Sequence, residues 1–330
     1  MVMPSTDPAH NDCTRNTDIP VIDLNGSRHR VSESILKACE EFGFFMVTNH
    51  GVAENVIARM EATGSEFFSL PASEKQRSGP PNPLGYGFRS IGSNGDTGEV
   101  EYLLLHASPT YVSLRAKTIC KKDHLGFSCV VTEYVESMRS LACEILELLG
   151  EGLKLGDTEI FCKLLRDSKS DSLLRLNHYP ASYSSARDDC RIGFGEHTDP
   201  QILTLLRSTV GGLQIMKDGG PWVPVKPDPA AFCVHVGDAL QAMTNGRLAS
   251  VRHRAVVNSY TQRMSVVYFG APPPHASISP LSETVTPENP RRYKSFTWGE
   301  YKKAMYSLRL GQNRLDHFLS SNGEEGDCDT

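Results

Sequence analysis

After about residue 172 the chain becomes a run of short apolar segments, 203–206, 212–215, 222–225 and 232–236, set close together. Glycine-bearing breaks separate them at Gly211-Gly212, Gly219-Gly220 and Gly237-Asp238. A further break at Asn245-Gly246 is a strong turn signal. Two more strand-like segments follow, one around His253 and one beginning at Arg263 and running into Val266-Val267-Tyr268-Phe269. Many short strands with turn residues between them pack as a sandwich or jelly roll. That expectation limits what the rest of the chain can be.

The first half reads differently. A short strand is expected at 19–24, a helix from about Ser32 and a strand at 44–48, then a second helix over 53–68. Residues 77–98 hold repeated Gly and Pro with little periodicity and are expected to form a long loop. The longest helix should span 127–149, where Val131, Tyr134, Val135, Met138, Leu141, Ala142, Ile145 and Leu149 make one apolar stripe behind a sheet. Near the C-terminus, Thr297-Trp298-Gly299-Glu300 is a capping box opening a helix to about Leu308. The organisation is therefore a polar disordered tail at 1–18, then a helical and strand region at 19–165 packing on the core. The jelly-roll core occupies 172–275, a C-terminal helix region 276–312, and a second disordered tail 313–330. The expected fold class is mainly β with flanking helices.

Candidate chemistry lies inside the strand-rich half. In a strand, side chains two apart share a face, so His197 and Asp199 in Glu196-His197-Thr198-Asp199-Pro200 would point the same way. Imidazole plus carboxylate is two-thirds of a 2-His-1-carboxylate facial triad, which suits non-haem Fe(II) and leaves coordination positions open. His253 is the candidate third ligand. Arg263-x-Ser265 places two more polar groups on one strand face. The same three ligands could hold zinc in a hydrolase, which also uses His and carboxylate with an open position. A cupin-like binding module without catalysis is the other alternative.

Taken together, His197-x-Asp199, His253 and Arg263-x-Ser265 resemble the signature of the plant iron(II)- and 2-oxoglutarate-dependent dioxygenases. Leu174-Arg175-Leu176-Asn177-His178-Tyr179-Pro180, Asp199-Pro200-Gln201 and Met243-Thr244-Asn245-Gly246-Arg247 are similar to the gibberellin 2-oxidases among them, as are the segments 95–105 and 296–303. The resemblance runs from about residue 19 to 310. It implies a double-stranded β-helix braced by helices, with Fe(II) on His197, Asp199 and His253. It also implies 2-oxoglutarate and O2 as co-substrates, with ascorbate as a supporting reductant. On this likeness, Arg263 clamps the far carboxylate of 2-oxoglutarate through two parallel hydrogen bonds, a geometry lysine cannot reproduce. Ser265 and Tyr179 would add donors, and Asn177 would hold the chelating end. The small-molecule substrate implied is a gibberellin, hydroxylated at C-2 and so deactivated; the alternative within the family is another plant hormone or specialised metabolite. A carboxylate on a rigid apolar skeleton asks for a cation, for which Lys302 or Lys303 with Tyr306 are the candidates, Tyr102 lining the opposite wall. The chain departs from many relatives at Ala181-Ser182, neither of which replaces a ligand.

Composition sets outer limits. The net charge of −5 over 330 residues argues against a nucleic-acid binder, and Arg247, Arg252 and Arg254 near His253 read as a solvated strand edge. No run of 18 apolar residues is present, so no membrane span is expected. The polar start lacks the apolar stretch of a secretory signal. Nine scattered cysteines without a C-x-x-C spacing suggest a reducing compartment, with cytoplasm as the expected location. Glu196 is either an acceptor that orients an imidazole or a solvated charge. His178, His235 and His275 receive no role, and Cys190 reads as an exposed thiol. Oligomeric state is left open.

Overall fold

The structure is a computed structural model, and it describes residues 19–91, 94–181, 191–217, 219–257 and 260–320. Cys190, Ser182, the 1–18 tail and the last ten residues fall outside them. Twelve strands build two facing sheets. They are β1 (Val21–Asp23), β2 (Phe44–Thr48), β3 (Gly85–Ile91), β4 (Asp96–His106), β5 (Leu173–Tyr179) and β6 (Ile192–His197), then β7 (Leu203–Arg207), β8 (Leu213–Met216), β9 (Trp222–Pro224), β10 (Phe232–Val236), β11 (Arg252–Val256) and β12 (Arg263–Gly270). The large sheet has the order β1-β2-β10-β7-β12-β5-β4-β3, and the small one β6-β11-β8-β9. This is the expected double-sheet jelly roll with flanking helices.

The central strands are buried on both faces, and side-chain alternation sorts what each face carries. Leu174 and Leu176 of β5, Leu203 and Leu205 of β7, Val234 and Val236 of β10, and Val266 and Tyr268 of β12 point outward. They share one core with Val131, Val135, Met138, Leu141 and Ile145 of the long helix His124–Gly152. The sequence stripe thus does brace a sheet. The inward faces pack differently. At one end Phe44, Met46, Leu206, Leu213, Ile215 and Val267 fill the space between the sheets, and at the other Val100, Tyr179, Phe194 and Ala255 do so. Between these two plugs the inward positions are polar.

Three expectations need correcting. Residues 77–98 are not one long loop: β3 and β4 lie partly inside them and pair as an antiparallel hairpin on the edge of the large sheet. The alternation was hidden because Gly85 and Gly87 occupy apolar strand positions. At Gly87 a Cβ would sit 2.3 Å from the Tyr102 ring, so the strand has room there only for hydrogen. Nor do residues 19–165 form a region that merely packs on the core, since they supply four strands of the large sheet. The tail expected at 313–330 begins too early. Arg314–Phe318 is a 3-10 turn, with Arg314, Leu315 and Phe318 buried. The capping box appears as expected, with Thr297 Oγ1 accepting from Glu300 N–H at the start of the final helix Trp298–Ser307.

Candidate active site

The metal corner forms where the small sheet's first two strands meet. β6 and β11 pair so that His197 and His253 stand opposite each other. Asp199 lies just past the end of β6, not on the strand as expected. Its backbone carbonyl instead accepts from Asp238 N–H at 2.7 Å, turning the chain toward β10. The outcome is still convergence: potential ligand atoms of His197, Asp199 and His253 all lie within 4.8 Å of one another. The Nε2 atoms of His197 and His253 stand 3.6 and 3.7 Å from Asp199 Oδ1. Ligand bonds of roughly 2.1 Å would put neighbouring donors about 3 Å apart, so a small closing motion suffices to hold an ion.

The outer nitrogens support this fit. His197 Nδ1 lies 2.8 Å from Gly195 O, and His253 Nδ1 lies 3.1 Å from Val251 O. A ring that donates its Nδ1–H to a carbonyl presents a bare Nε2 lone pair inward, which is what a metal-binding imidazole needs. Burial, then the neighbouring His253 ring, hold His197 well below the usual histidine range, so it stays neutral at pH 7. Asp199 Oδ2 is buried without a hydrogen-bond partner. His235, unassigned from sequence, is wholly buried beside this corner, its ring 4.5 Å from His253 and its Nδ1 3.5 Å from Asp199 Oδ2. Glu196 does not orient an imidazole; it pairs with Arg252 Nη1 at 2.5 Å. Arg247 and Arg254 are likewise engaged, with Glu40 and Gln214.

Beside the triad is a small pocket of about 60 Å³ between the sheets, lined by Asn177, Tyr179, His197, Asp199, His253 and Arg263 among others. β12 and β5 pair with Arg263 opposite Tyr179 and Ser265 opposite Asn177. All four expected co-substrate residues therefore share one inward face. Arg263 is 1% exposed, its Nε donating to Val210 O at 3.2 Å and its Nη1 to Ser265 Oγ at 3.4 Å. Its guanidinium lies 4.9 Å from the Tyr179 ring centre. Among the described residues no carboxylate pairs with it. A buried cation in that state is strongly favoured to receive an anion.

A larger cavity of about 430 Å³ opens on the other side of the triad. Tyr102 and Tyr306 line it, together with Leu104, Leu173, Phe269 and Leu310. The two lysines do not. Lys302 turns to Asp171 at 2.6 Å, which also accepts from Trp298 Nε1, and Lys303 is exposed. Helical spacing put them near Tyr306 in sequence, but the buried face of the helix carries Trp298 and Tyr301. The cations on the cavity wall are instead Arg175 and Arg314. Arg175 had a readable signal: it precedes Asn177 by two on one strand and so shares its face. Arg314 had none. The cavity's roof is tied down from two directions. Asn94 Nδ2 donates to Tyr306 O and Leu308 O at 2.8 and 2.6 Å, and Asp96 Oδ2 accepts from Leu310 N–H at 2.8 Å. His178 serves structure elsewhere, bound to Glu101 beneath the sheet.

Comparison with known proteins fits this geometry. The 2OG-Fe(II) oxygenase superfamily matches residues 170–272, and the family described as non-haem dioxygenase in morphine synthesis N-terminal matches 19–110. Gibberellin 2-beta-dioxygenase 2 of Oryza sativa subsp. japonica is 50% identical, over 94% of this chain and 89% of its own length. Gibberellin 2-beta-dioxygenase 4 of Arabidopsis thaliana is 51% identical, over 91% of this chain and 94% of its own. The crystal structure of JOX2 in complex with 2OG, Fe and JA superposes with a TM-score of 0.80 at 31% identity, covering 92% of this chain and 89% of that one. The rice dioxygenase for auxin oxidation gives 0.76 at 30% identity, over 92% and 100%.

Proposed function

This chain belongs to the gibberellin 2-beta-dioxygenases of the 2OG-Fe(II) oxygenase superfamily, and from that membership we propose that it deactivates gibberellins by 2β-hydroxylation dependent on Fe(II) and 2-oxoglutarate. The observation that carries this reading is the pairing of a His-Asp-His corner with two cavities of unequal size, one small and cationic, one large and mostly apolar. A zinc hydrolase has no use for a second carboxylate pocket, and a passive binding module has none for a complete ligand set.

In this reading His197, Asp199 and His253 would hold the iron through Nε2, a carboxylate oxygen and Nε2. Fe(II) held there would supply the oxygen-activating chemistry that couples 2-oxoglutarate decarboxylation to hydroxylation of an unactivated C–H bond. The chain's own residues do the rest. Gly195 and Val251 carbonyls fix the imidazole tautomers. Arg263 and Ser265 receive the far carboxylate of 2-oxoglutarate, with the Tyr179 ring walling the pocket and Asn177 positioned near the chelating end. The apolar cavity wall excludes water from the reacting carbon. No described helix is long and apolar enough to cross a membrane. We assign the reaction to the cytosol because Cys39, Cys120, Cys129, Cys143, Cys162 and Cys233 are all free.

Incubation with Fe(II), 2-oxoglutarate and a panel of gibberellins, with products identified by mass spectrometry, tests the assignment. The expected product is the C-2 alcohol with matching succinate release. Oxidation of another metabolite alone would leave the oxygenase and overturn the substrate. Hydrolysis without succinate would overturn both.

A further inference from the structure

The inward face of β5 carries Leu173, Arg175, Asn177 and Tyr179 in succession. Leu173 lines only the large cavity; Asn177 and Tyr179 line only the small one. Arg175 lines both, as do Phe194, His197, Asp199 and Phe269. It is the one cation, among the described residues, at the junction where the two chambers meet beside the metal corner. Its guanidinium is gripped in place: the plane's centre lies 3.8 Å from the Tyr102 ring centre and 4.9 Å from that of Phe194, and Nε donates to Asn177 Oδ1 at 2.7 Å. Stacking on rings and a single fixed donor orient the fork while leaving its far edge free. Nη2 is shielded from solvent and has no hydrogen-bond partner. No ion pair engages Arg175 among the described residues.

The other cation of the cavity is differently committed. Arg314 donates through Nη1 to Thr198 O at 3.1 Å and through Nη2 to Leu310 O at 3.4 Å, so its fork already holds the backbone. The carboxylate whose charge reaches Arg175 is Asp199, and it belongs to the triad. A shielded guanidinium edge with no partner is costly unless a ligand supplies an anion. The far carboxylate of 2-oxoglutarate is already matched by Arg263. The other carboxylate of 2-oxoglutarate is the chelating one, for which the metal corner is the counter-charge, so the anion left without a partner is that of the substrate.

We propose that Arg175 is the specificity residue that receives the substrate's carboxylate, anchoring an otherwise apolar skeleton on the Tyr102 ring beside the metal corner. This rests on the gibberellin reading above and replaces Lys302 and Lys303 as the anion partner. Arg175→Met and Arg175→Lys, assayed with a gibberellin free acid and its methyl ester and with 2-oxoglutarate varied, test it. Loss of one charge-assisted contact should lower kcat/KM for the acid roughly 10- to 150-fold, with a far smaller drop for the ester, so the acid preference collapses. Arg175→Lys should restore part of that preference, because the charge returns without the planar fork. Equal losses on acid and ester overturn the proposal. So does a rise in the KM for 2-oxoglutarate with the acid preference intact, which would assign the guanidinium to the co-substrate. A wild-type enzyme that hydroxylates no gibberellin fails the functional reading itself, whereas one that hydroxylates them with no preference for acid over ester fails only this one. Iron content and circular dichroism of each variant separate misfolding from a lost contact.

Discussion

The two chambers share a wall and little else. The small one is lined by β5, β6, β7, β8, β10, β11 and β12, whose side chains face one another across paired strands. The large one borrows from the loop at 81–83, the β3–β4 hairpin, the turn at 198–201 and the segment 305–314. A pocket between hydrogen-bonded strands is fixed by register, because a slip of one residue would turn every side chain to the other face. A cavity roofed by loops is held by a handful of side-chain bonds, such as those from Asn94 and Asp96. The first should therefore suit a single invariant co-substrate, and the second should be where substrate choice varies.

Substitutions can break that contrast or sharpen it. The largest effect is expected at the corner common to both chambers: His197→Ala, Asp199→Ala or His253→Ala should each abolish product formation and iron retention, with far-ultraviolet circular dichroism preserved. Near-normal turnover in any of them would remove that residue from the ligand set. Arg263→Ala comes next. Stripping a buried carboxylate of its cation costs roughly 3–5 kcal/mol, or about two to four decades in affinity for 2-oxoglutarate, and iron binding should survive. A comparable rise in the gibberellin KM would mean the chambers are not separate. Glycine variants offer a finer cut. A Cβ at Gly193 would sit 2.6 Å from Tyr179 Cδ1 in the small pocket, and one at Gly87 would press on Tyr102 in the large one. Overpacking of this kind costs about 1–3 kcal/mol, so Gly193→Ala should raise the KM for 2-oxoglutarate and Gly87→Ala that for the gibberellin. The same parameter moving in both would dissolve the distinction. The smallest effect is expected outside both: Lys303→Ala should leave either KM within about twofold, as surface charges contribute little.

The same contrast explains what could be read in advance. His197, Arg263 and Ser265 were legible because each sits on a strand whose two-residue period puts it on a knowable face, whereas Tyr179, and Asn177 two residues before it, came from the family resemblance. Arg175 obeys that period too, two residues before Asn177 on β5. The β3–β4 hairpin was masked by Gly85 and Gly87, which keep the strand but erase its apolar alternation. Arg314 could not be placed at all. Nothing near it in sequence hints that it reaches Thr198, and its burial depends on a long-range closure that local pattern does not encode. Lys302 and Lys303 misled for the complementary reason: helical spacing shows which residues are neighbours but not which side of the helix meets the protein.

The contact between Arg314 and the Thr198 carbonyl has a consequence for how the molecule comes into being. A chain is made from its N-terminus and folds as it emerges, so the strands bearing the iron ligands are complete well before residues 305–314 leave the ribosome. During that interval the corner would exist without its roof, open to solvent and to any passing chelator. Completion of the catalyst thus waits on a segment made after every strand of the two sheets. A nascent chain halted after Ser307 should show this: captured metal in measurable amounts, and no hydroxylated product until the final segment is supplied.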